Sequence, residues 1–202
     1  MCSSLYVQYA HTNAHVFQIL QKDGSPWFSL EVNTMFRKQY QSEIDKKSEI
    51  LELWFKDPLT NKRMALGFPD TGIPIVPHSW YHICLGLDTV SGMLRIVVNG
   101  IEVVNEEKAE FRNTSDWRPG SLDGNILVFK EFFTSFWAQK RGKFSNMNVF
   151  AFMISLEDMM LRTSGEADCT GAGDYLSWEE MEWSITGDVD SGTVDTEDLC
   201  QR

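Results

Sequence analysis

Trp80-Tyr81-His82-Ile83-Cys84-Leu85-Gly86-Leu87-Asp88-Thr89-Val90-Ser91-Gly92-Met93-Leu94-Arg95-Ile96-Val97-Val98-Asn99-Gly100-Ile101-Glu102-Val103-Val104 decides how the chain folds. Trp80 to Leu87 is a mostly apolar strand. Asp88 to Gly92 is a turn, with glycine supplying the left-handed backbone that such turns use. Met93 to Val98 is a second strand ending in a β-branched run. Asn99-Gly100 follows at once and is the signal of a type I′ hairpin. Ile101 to Val104 then begins a third strand. The stretch predicts an antiparallel meander with a Trp and a Cys near one end.

Around it lie 202 residues, 43% of them hydrophobic and 12% aromatic, including seven Trp and thirteen Phe. That length fits one all-β domain or two small ones. The aromatic content favours a sheet-rich core. The formal charge of −11 argues against nucleic acid, whose phosphates demand a basic face, and against anionic membranes. It reads first as a solubilising surface. No run of 18 apolar residues is present to span a bilayer. The first residues lack the basic start and long apolar core of a secretory leader. The four cysteines, Cys2, Cys84, Cys169 and Cys200, share no CxxC spacing, which weakens a zinc reading. They suit either disulfides in an oxidising compartment or free buried thiols.

Before the meander, Leu5 to Tyr9 alternates with period two. His15 to Leu20, Trp27 to Val32, Ile50 to Phe55 and the shorter Arg63 to Phe68 read as further strands. Asp23-Gly24-Ser25-Pro26 breaks the chain between two of them. After the meander, Asn113-Thr114-Ser115 is an N-glycosylation sequon. Asn125 to Glu131 and Phe144 to Met153 are strands, and Phe132 to Gly142 is read as a loop. Leu156 to Leu161 is a short helix with Ser155 as its N-cap. Tyr175 to Ile185 is expected to return to the sheet. Residues 188–202 form an acidic linker or tail, leaving a domain of residues 1–187. Strands at this spacing predict an all-β, two-sheet antiparallel sandwich with one short helix.

The order of these landmarks resembles the pentraxin and laminin-G-like branch of the concanavalin A-like lectin superfamily. Trp80-Tyr81-His82-Ile83-Cys84 resembles the family's W-x-H-x-C strand. Asp88 to Gly92 followed by Val98-Asn99-Gly100 resembles its D-S-x-x-G and V-N-G run. Gly124 to Phe129 resembles G-x-L-x-L-G, with Phe129 in place of the last Gly. Gly142 to Val149 resembles the strand F-x-G-x-I-x-x-V, and Leu156-Glu157-Asp158-Met159 the short helix after it. Gly173 to Trp178 resembles the family's final strand. The likeness covers roughly residues 1–185 and implies a jelly-roll sandwich. It also implies a disulfide between Cys2 and Cys84, a closure contributing about 4 kcal/mol in the chain-entropy model. Cys169 and Cys200 have no family counterpart and either pair with each other or with cysteines elsewhere. The family carries a strand upstream of Cys2, so the chain reads as part of a longer protein, with a sheet edge left open.

The same resemblance directs attention to calcium, which needs several hard oxygen ligands. The stretch matching the family's Q-E-Q-D is Lys130-Glu131-Phe132-Phe133, where Glu131 alone is a carboxylate. No cofactor is therefore expected, with calcium held as the one candidate. Glycosidases on this fold use carboxylates on alternate strand residues. Glu43-Ile44-Asp45 starts such a motif and Lys47-Ser48 ends it, so no enzyme is expected. Phe133, Phe136, Trp137, Lys140 and Arg141 form an aromatic and basic cluster, suited to a sugar face or an acidic ligand or to capping the core. The sequence thus predicts a non-catalytic, extracellular or ectodomain lectin-like module, glycosylated at Asn113, that binds a glycan or a partner protein. A structural adhesion or spacer domain is the alternative, and a degenerate glycosidase ranks last.

Overall fold

The computed structural model describes residues 1–9, 14–20, 26–33, 50–56, 63–67, 78–109, 112, 126–128, 141–164, 173, 177 and 180. They form ten strands and one helix. The strands are β1 (Cys2–Tyr9), β2 (Ala14–Leu20), β3 (Pro26–Asn33), β4 (Ile50–Lys56), β5 (Arg63–Gly67), β6 (Ser79–Asp88), β7 (Met93–Val98), β8 (Ile101–Glu107), β9 (Ile126–Val128) and β10 (Arg141–Asn148), and the helix is α1 (Leu156–Ser164). One five-stranded sheet has the order β10-β1-β6-β7-β8 and the other β5-β4-β3-β2-β9. The chain divides into two compact units, Met1–Leu5 with Trp80–Thr114 and Phe144–Arg202, and Tyr6–Ser79 with Ser115–Lys143.

In the second unit, β2 pairs antiparallel with β3 and β9, β3 with β4, and β4 with β5. Leu30 stands opposite Leu53, and Leu53 opposite Leu66, so the apolar positions of successive strands fall in register. β2 and β3 slip register twice along their length.

In the first unit, the expected meander is present. β6, β7 and β8 are successive antiparallel neighbours. Val98 faces Ile101 across a two-residue loop, and Asn99 and Gly100 carry φ of 48° and 75°. Two successive left-handed residues are what a type I′ turn requires. At the other end Gly92 has φ 78°. Met1 and Leu85 exchange backbone hydrogen bonds of 2.8 and 2.7 Å, which sets β1 antiparallel to β6 and puts Cys2 beside Cys84. Those two form a disulfide with a Cα–Cα distance of 4.1 Å, as the family resemblance implies.

β6 is buried on both faces from Tyr81 to Gly86, hence its nearly unbroken apolar sequence. Tyr81, Ile83 and Leu85 lie on one face with Leu94, Ile96, Val98 and Leu5, all 8% exposed or less. On the opposite face, Cys2, Cys84, Val97, Ile154 and Met159 form a core, with Phe150, Met153 and Leu156 packed on it. α1 delivers Met159 to that core and rests against β7 and β8.

The helix starts where the capping residues place it. The Asp158 N–H donates to Ser155 Oγ at 3.0 Å, and that hydroxyl donates to Asp158 Oδ2 at 2.6 Å. Glu157 and Asp158 lie in the first turn and Arg162 in the last, an arrangement that complements the helix dipole. The helix continues three residues beyond the predicted end, to Ser164. The buried Thr163 explains the extension, since its hydroxyl donates to the Met159 carbonyl at 2.8 Å and accepts from the Gly100 N–H at 3.0 Å.

Two expectations are corrected near β10. Arg141 and Gly142, read as the end of a loop, begin this strand. β10 ends the strand order of its sheet, and charged residues are well tolerated on a strand in that position. The strand also stops at Asn148 rather than at Met153. Asn146 adopts φ 55°, a conformation asparagine tolerates better than most residues. The Asn148 amide then turns back to Asn146 Oδ1 at 2.8 Å and accepts the Gly173 N–H at 3.1 Å. The expected tail at 188–202 and most of the expected final strand at 175–185 lie outside the described residues.

Candidate functional site

Alternation along β6 puts Trp80, His82, Cys84 and Gly86 on one face. The rings of Trp80 and His82 lie nearly parallel, 11° apart, with centroids at 6.4 Å. His82 Nδ1 is hydrogen-bonded to Ser4 Oγ at 2.8 Å. Asn99 bonds the same residue twice through backbone groups: Asn99 Oδ1 accepts the His82 N–H at 2.8 Å, and the Asn99 N–H donates to the His82 carbonyl at 2.9 Å. The asparagine of the turn thus serves two ends, as a left-handed residue and as a clamp on β6.

A hydroxyl at hydrogen-bond distance from an imidazole is the first element of a nucleophile–base pair. Burial decides against that reading here. Ser4 is 3% exposed and His82 7%, so no substrate atom reaches the hydroxyl. Burial also lowers the His82 pKa from its ordinary value, keeping the ring neutral and suited to a fixed hydrogen bond. The pair is structural.

Further along the face, Gly86 gives way to the segment that precedes and opens α1. A Cβ there would stand 2.6 Å from Met153 Cγ and from Met159 Cε. The two methionines reach the sheet only because this residue has no side chain.

At the far end of β6, Asp88 organises the turn. Its carboxylate accepts the Ser91 hydroxyl at 2.5 Å and the Val90 N–H at 2.9 Å. The Ser91 bond first, then the Val90 bond, lower its pKa. Those bonds occupy the oxygens within the turn. Arg95 and Glu102 form a half-buried ion pair at 3.2 Å between β7 and β8, and Arg162 lies 4.9 Å over the Phe150 ring.

Glu131, Phe133, Phe136, Trp137 and Lys140 lie outside the described residues. So do Asn113, Cys169, Cys200 and the carboxylates Glu43 and Asp45. Arg141 opens β10, and its side chain also lies outside what is described. Among the described residues, the predicted site residues Cys2 and Cys84 are brought together, in a disulfide. Among the described residues no three His, Cys, Asp or Glu side chains group to hold a metal. The Lys130-to-Phe133 sequence offers one carboxylate, Glu131, against the six to eight oxygens calcium takes. That donor set does not fit the family's ion. Sequence reasoning missed Ser4, Gly86, Asn148 and Thr163. A glycine inside an apolar strand is itself a signal of close approach; the other three make contacts too distant in sequence to be read.

No family model matches the chain, and no curated protein does. Among solved structures, a native heptameric SAP-like pentraxin from Limulus polyphemus matches at TM-score 0.57 and 15% identity, covering 90% of this chain and 76% of that one. A putative carbohydrate binding protein from Bacteroides ovatus matches at TM-score 0.47 and 15% identity, over 85% of this chain and 42% of that one. The CBM40 of the Ruminococcus gnavus IT-sialidase, bound to alpha2,3 sialyllactose, matches at TM-score 0.48 and 10% identity, over 80% of each chain. Among the described residues the strand pairings, the one short helix and the pentraxin likeness assign one fold: an all-β, antiparallel jelly roll.

Proposed function

We propose that the chain is a non-catalytic, lectin-like module of an extracellular protein or membrane-protein ectodomain, and that its ligand is a glycan. The observation that carries this reading is the jelly roll it shares with a pentraxin, closed by a disulfide between Cys2 and Cys84. A buried disulfide suits an oxidising compartment. Fold alone does not fix a ligand, and two further features favour a sugar. The aromatic and basic run Phe133, Phe136, Trp137, Lys140 and Arg141 offers ring faces for sugar C–H groups and donors for hydroxyls or acids. The excess of acidic groups, giving −11 overall, disfavours a nucleic acid or an anionic bilayer as partner. Among the described residues no helix is long and apolar enough to cross a membrane.

The absence of catalysis rests on two observations. Among the described residues the one Ser–His side-chain contact is buried, and the carboxylate run from Glu43 stops short of the glycosidase pattern. Binding without calcium follows from the single carboxylate at Glu131.

A glycan array probed with the disulfide-bonded chain, with and without chelator, tests the reading. Binding to a defined set of glycans that survives chelation and is lost in Trp137→Ala supports it. Binding to no glycan, together with capture of an extracellular protein, transfers the role to a protein ligand. Binding to neither leaves the spacer domain. A chelator-sensitive signal overturns the metal-free claim, as does a rise in melting midpoint at millimolar calcium, because an ion held only by the native state must stabilise it.

A further inference from the structure

Asn113-Thr114-Ser115 is the motif that the binding reading leaves unused, and it is the chain's one N-x-S/T sequence. The structure leads right up to it. β8 stands last in the strand order of its sheet and ends at Glu107. The next residue, Lys108, donates its N–H to the Gly92 carbonyl at 2.9 Å. The Arg112 N–H then donates to the Ala109 carbonyl at 3.1 Å, closing a turn. Arg112 is anchored at its own end of that turn: its Nε donates to the Ser91 carbonyl at 2.9 Å and its guanidinium pairs with Glu107. Ala109 is exposed, and the Arg112 side chain is 49% exposed. The residue bonded to Asn113 is thus held in solvent at the end of β8, clear of both buried faces of the sheet.

We propose that Asn113 is a site of N-linked glycosylation. Its amide Nδ2 forms the new bond, to the anomeric carbon of the amino sugar at the reducing end of an oligosaccharide carried on a lipid pyrophosphate. The bond between that carbon and the pyrophosphate oxygen breaks, the lipid pyrophosphate leaves, and the amide gives up one proton. The Ser115 hydroxyl, two residues on, completes the acceptor motif, and the intervening Thr114 is compatible with it. The glycan so attached is bulky and strongly hydrated, and it stands one peptide bond past a residue tied to the last position of β8. The proposal rests on the extracellular reading above, because the donor lipid is met only along the secretory route.

The test imposes that route, so that the site is judged apart from where the native protein resides. The full chain is expressed behind a secretory leader in cultured animal cells. Its mass is measured before and after a peptide amidase that releases N-linked glycans. The wild type is expected to lose one glycan. Asn113→Gln and Ser115→Ala are each expected at the mass of the bare chain, and Ser115→Thr is expected to keep the glycan. Ser115→Ala leaves the asparagine itself in place, and protein retained inside the cell is read in the same way as secreted protein. A wild-type chain with its Cys2–Cys84 bond formed and the mass of the bare polypeptide overturns the proposal. So does a glycan that persists in Asn113→Gln. Locating the native protein by fractionation judges the extracellular reading separately: a cytosolic protein whose leader-directed form is glycosylated loses that reading and keeps the acceptor site.

Discussion

The two faces of the sheet built on β6 are equally buried and are held together by different means. One face is a register of aliphatic and aromatic side chains: Leu5, Tyr81, Ile83, Leu85, Leu94, Ile96 and Val98. Its exception is Ser3, whose buried hydroxyl has no hydrogen-bond partner among the described residues. The other face carries a disulfide, a glycine, a Ser–His hydrogen bond and a helix seated on methionines. Strand alternation alone accounts for the first face, because each residue need only be apolar and of the right size. The second needs particular atoms at particular positions, and few substitutes would serve. The difference predicts unequal sensitivity to substitution.

The largest break is the disulfide. Replacing both partners, Cys2→Ala with Cys84→Ala, avoids leaving a lone thiol. It removes a closure spanning 82 residues, worth about 4 kcal/mol in the chain-entropy model. The loss is read as a fall in the urea midpoint, with the slope rising because the unlinked denatured chain expands. A fall of less than about 1 kcal/mol would show that the helix-side core holds without its covalent pin.

A matched pair of one-carbon changes compares the faces directly. Ile96→Val on the aliphatic face leaves a small cavity and is expected to destabilise by about 1 kcal/mol. Gly86→Ala adds a carbon where Met153 and Met159 already stand 2.6 Å from its ideal position. Met159 is fully buried, and the added methyl is expected to destabilise by about 2 kcal/mol. Chemical denaturation of both variants checks the order. If Gly86→Ala proves the milder, the methionine ends swing aside and the helix is seated more loosely than its burial implies.

The same contrast governs what the sequence reveals. The meander, its Asn99-Gly100 turn and the helix cap at Ser155 are legible because each is a local pattern: alternation, a dipeptide, a capping residue. The ends of β10 and α1 are not, because Asn146 sets one through a left-handed backbone and Asn148 and Thr163 act through bonds to backbone elsewhere. Thr163, for example, bonds Gly100 across 63 positions. Ser4 and His82 are 78 positions apart, and no pattern in either strand announces the other. The disulfide became readable through a family likeness and not through spacing. Of the candidate binding run, Phe133 to Arg141, the sequence supplies the chemistry, and the described residues include only the backbone of Arg141.

The smallest effect sharpens the contrast most, because the helix-side face has a titrating member. His82 is buried, and desolvation of its charged form lowers its pKa below the ordinary 6.5. In the unfolded chain the imidazole titrates near that ordinary value. As pH falls through about 6.5 the unfolded state takes up a proton that the folded state refuses, so stability declines toward acid. The slope from one such group cannot exceed about 1.4 kcal/mol per pH unit. Above pH 7 both states are neutral and the contribution is flat. Asp88 lies lower on the scale: its depressed pKa supports stability above its ordinary value of 3.8 and withdraws it below, which separates the two groups. Melting midpoints measured from pH 7.5 to 5 should therefore fall for the wild type and fall less for His82→Gln, which keeps a polar partner for Ser4. Equal slopes in the two proteins would mean that protonated His82 is tolerated where it stands, and that the helix-side face is less tightly closed to water than the aliphatic one.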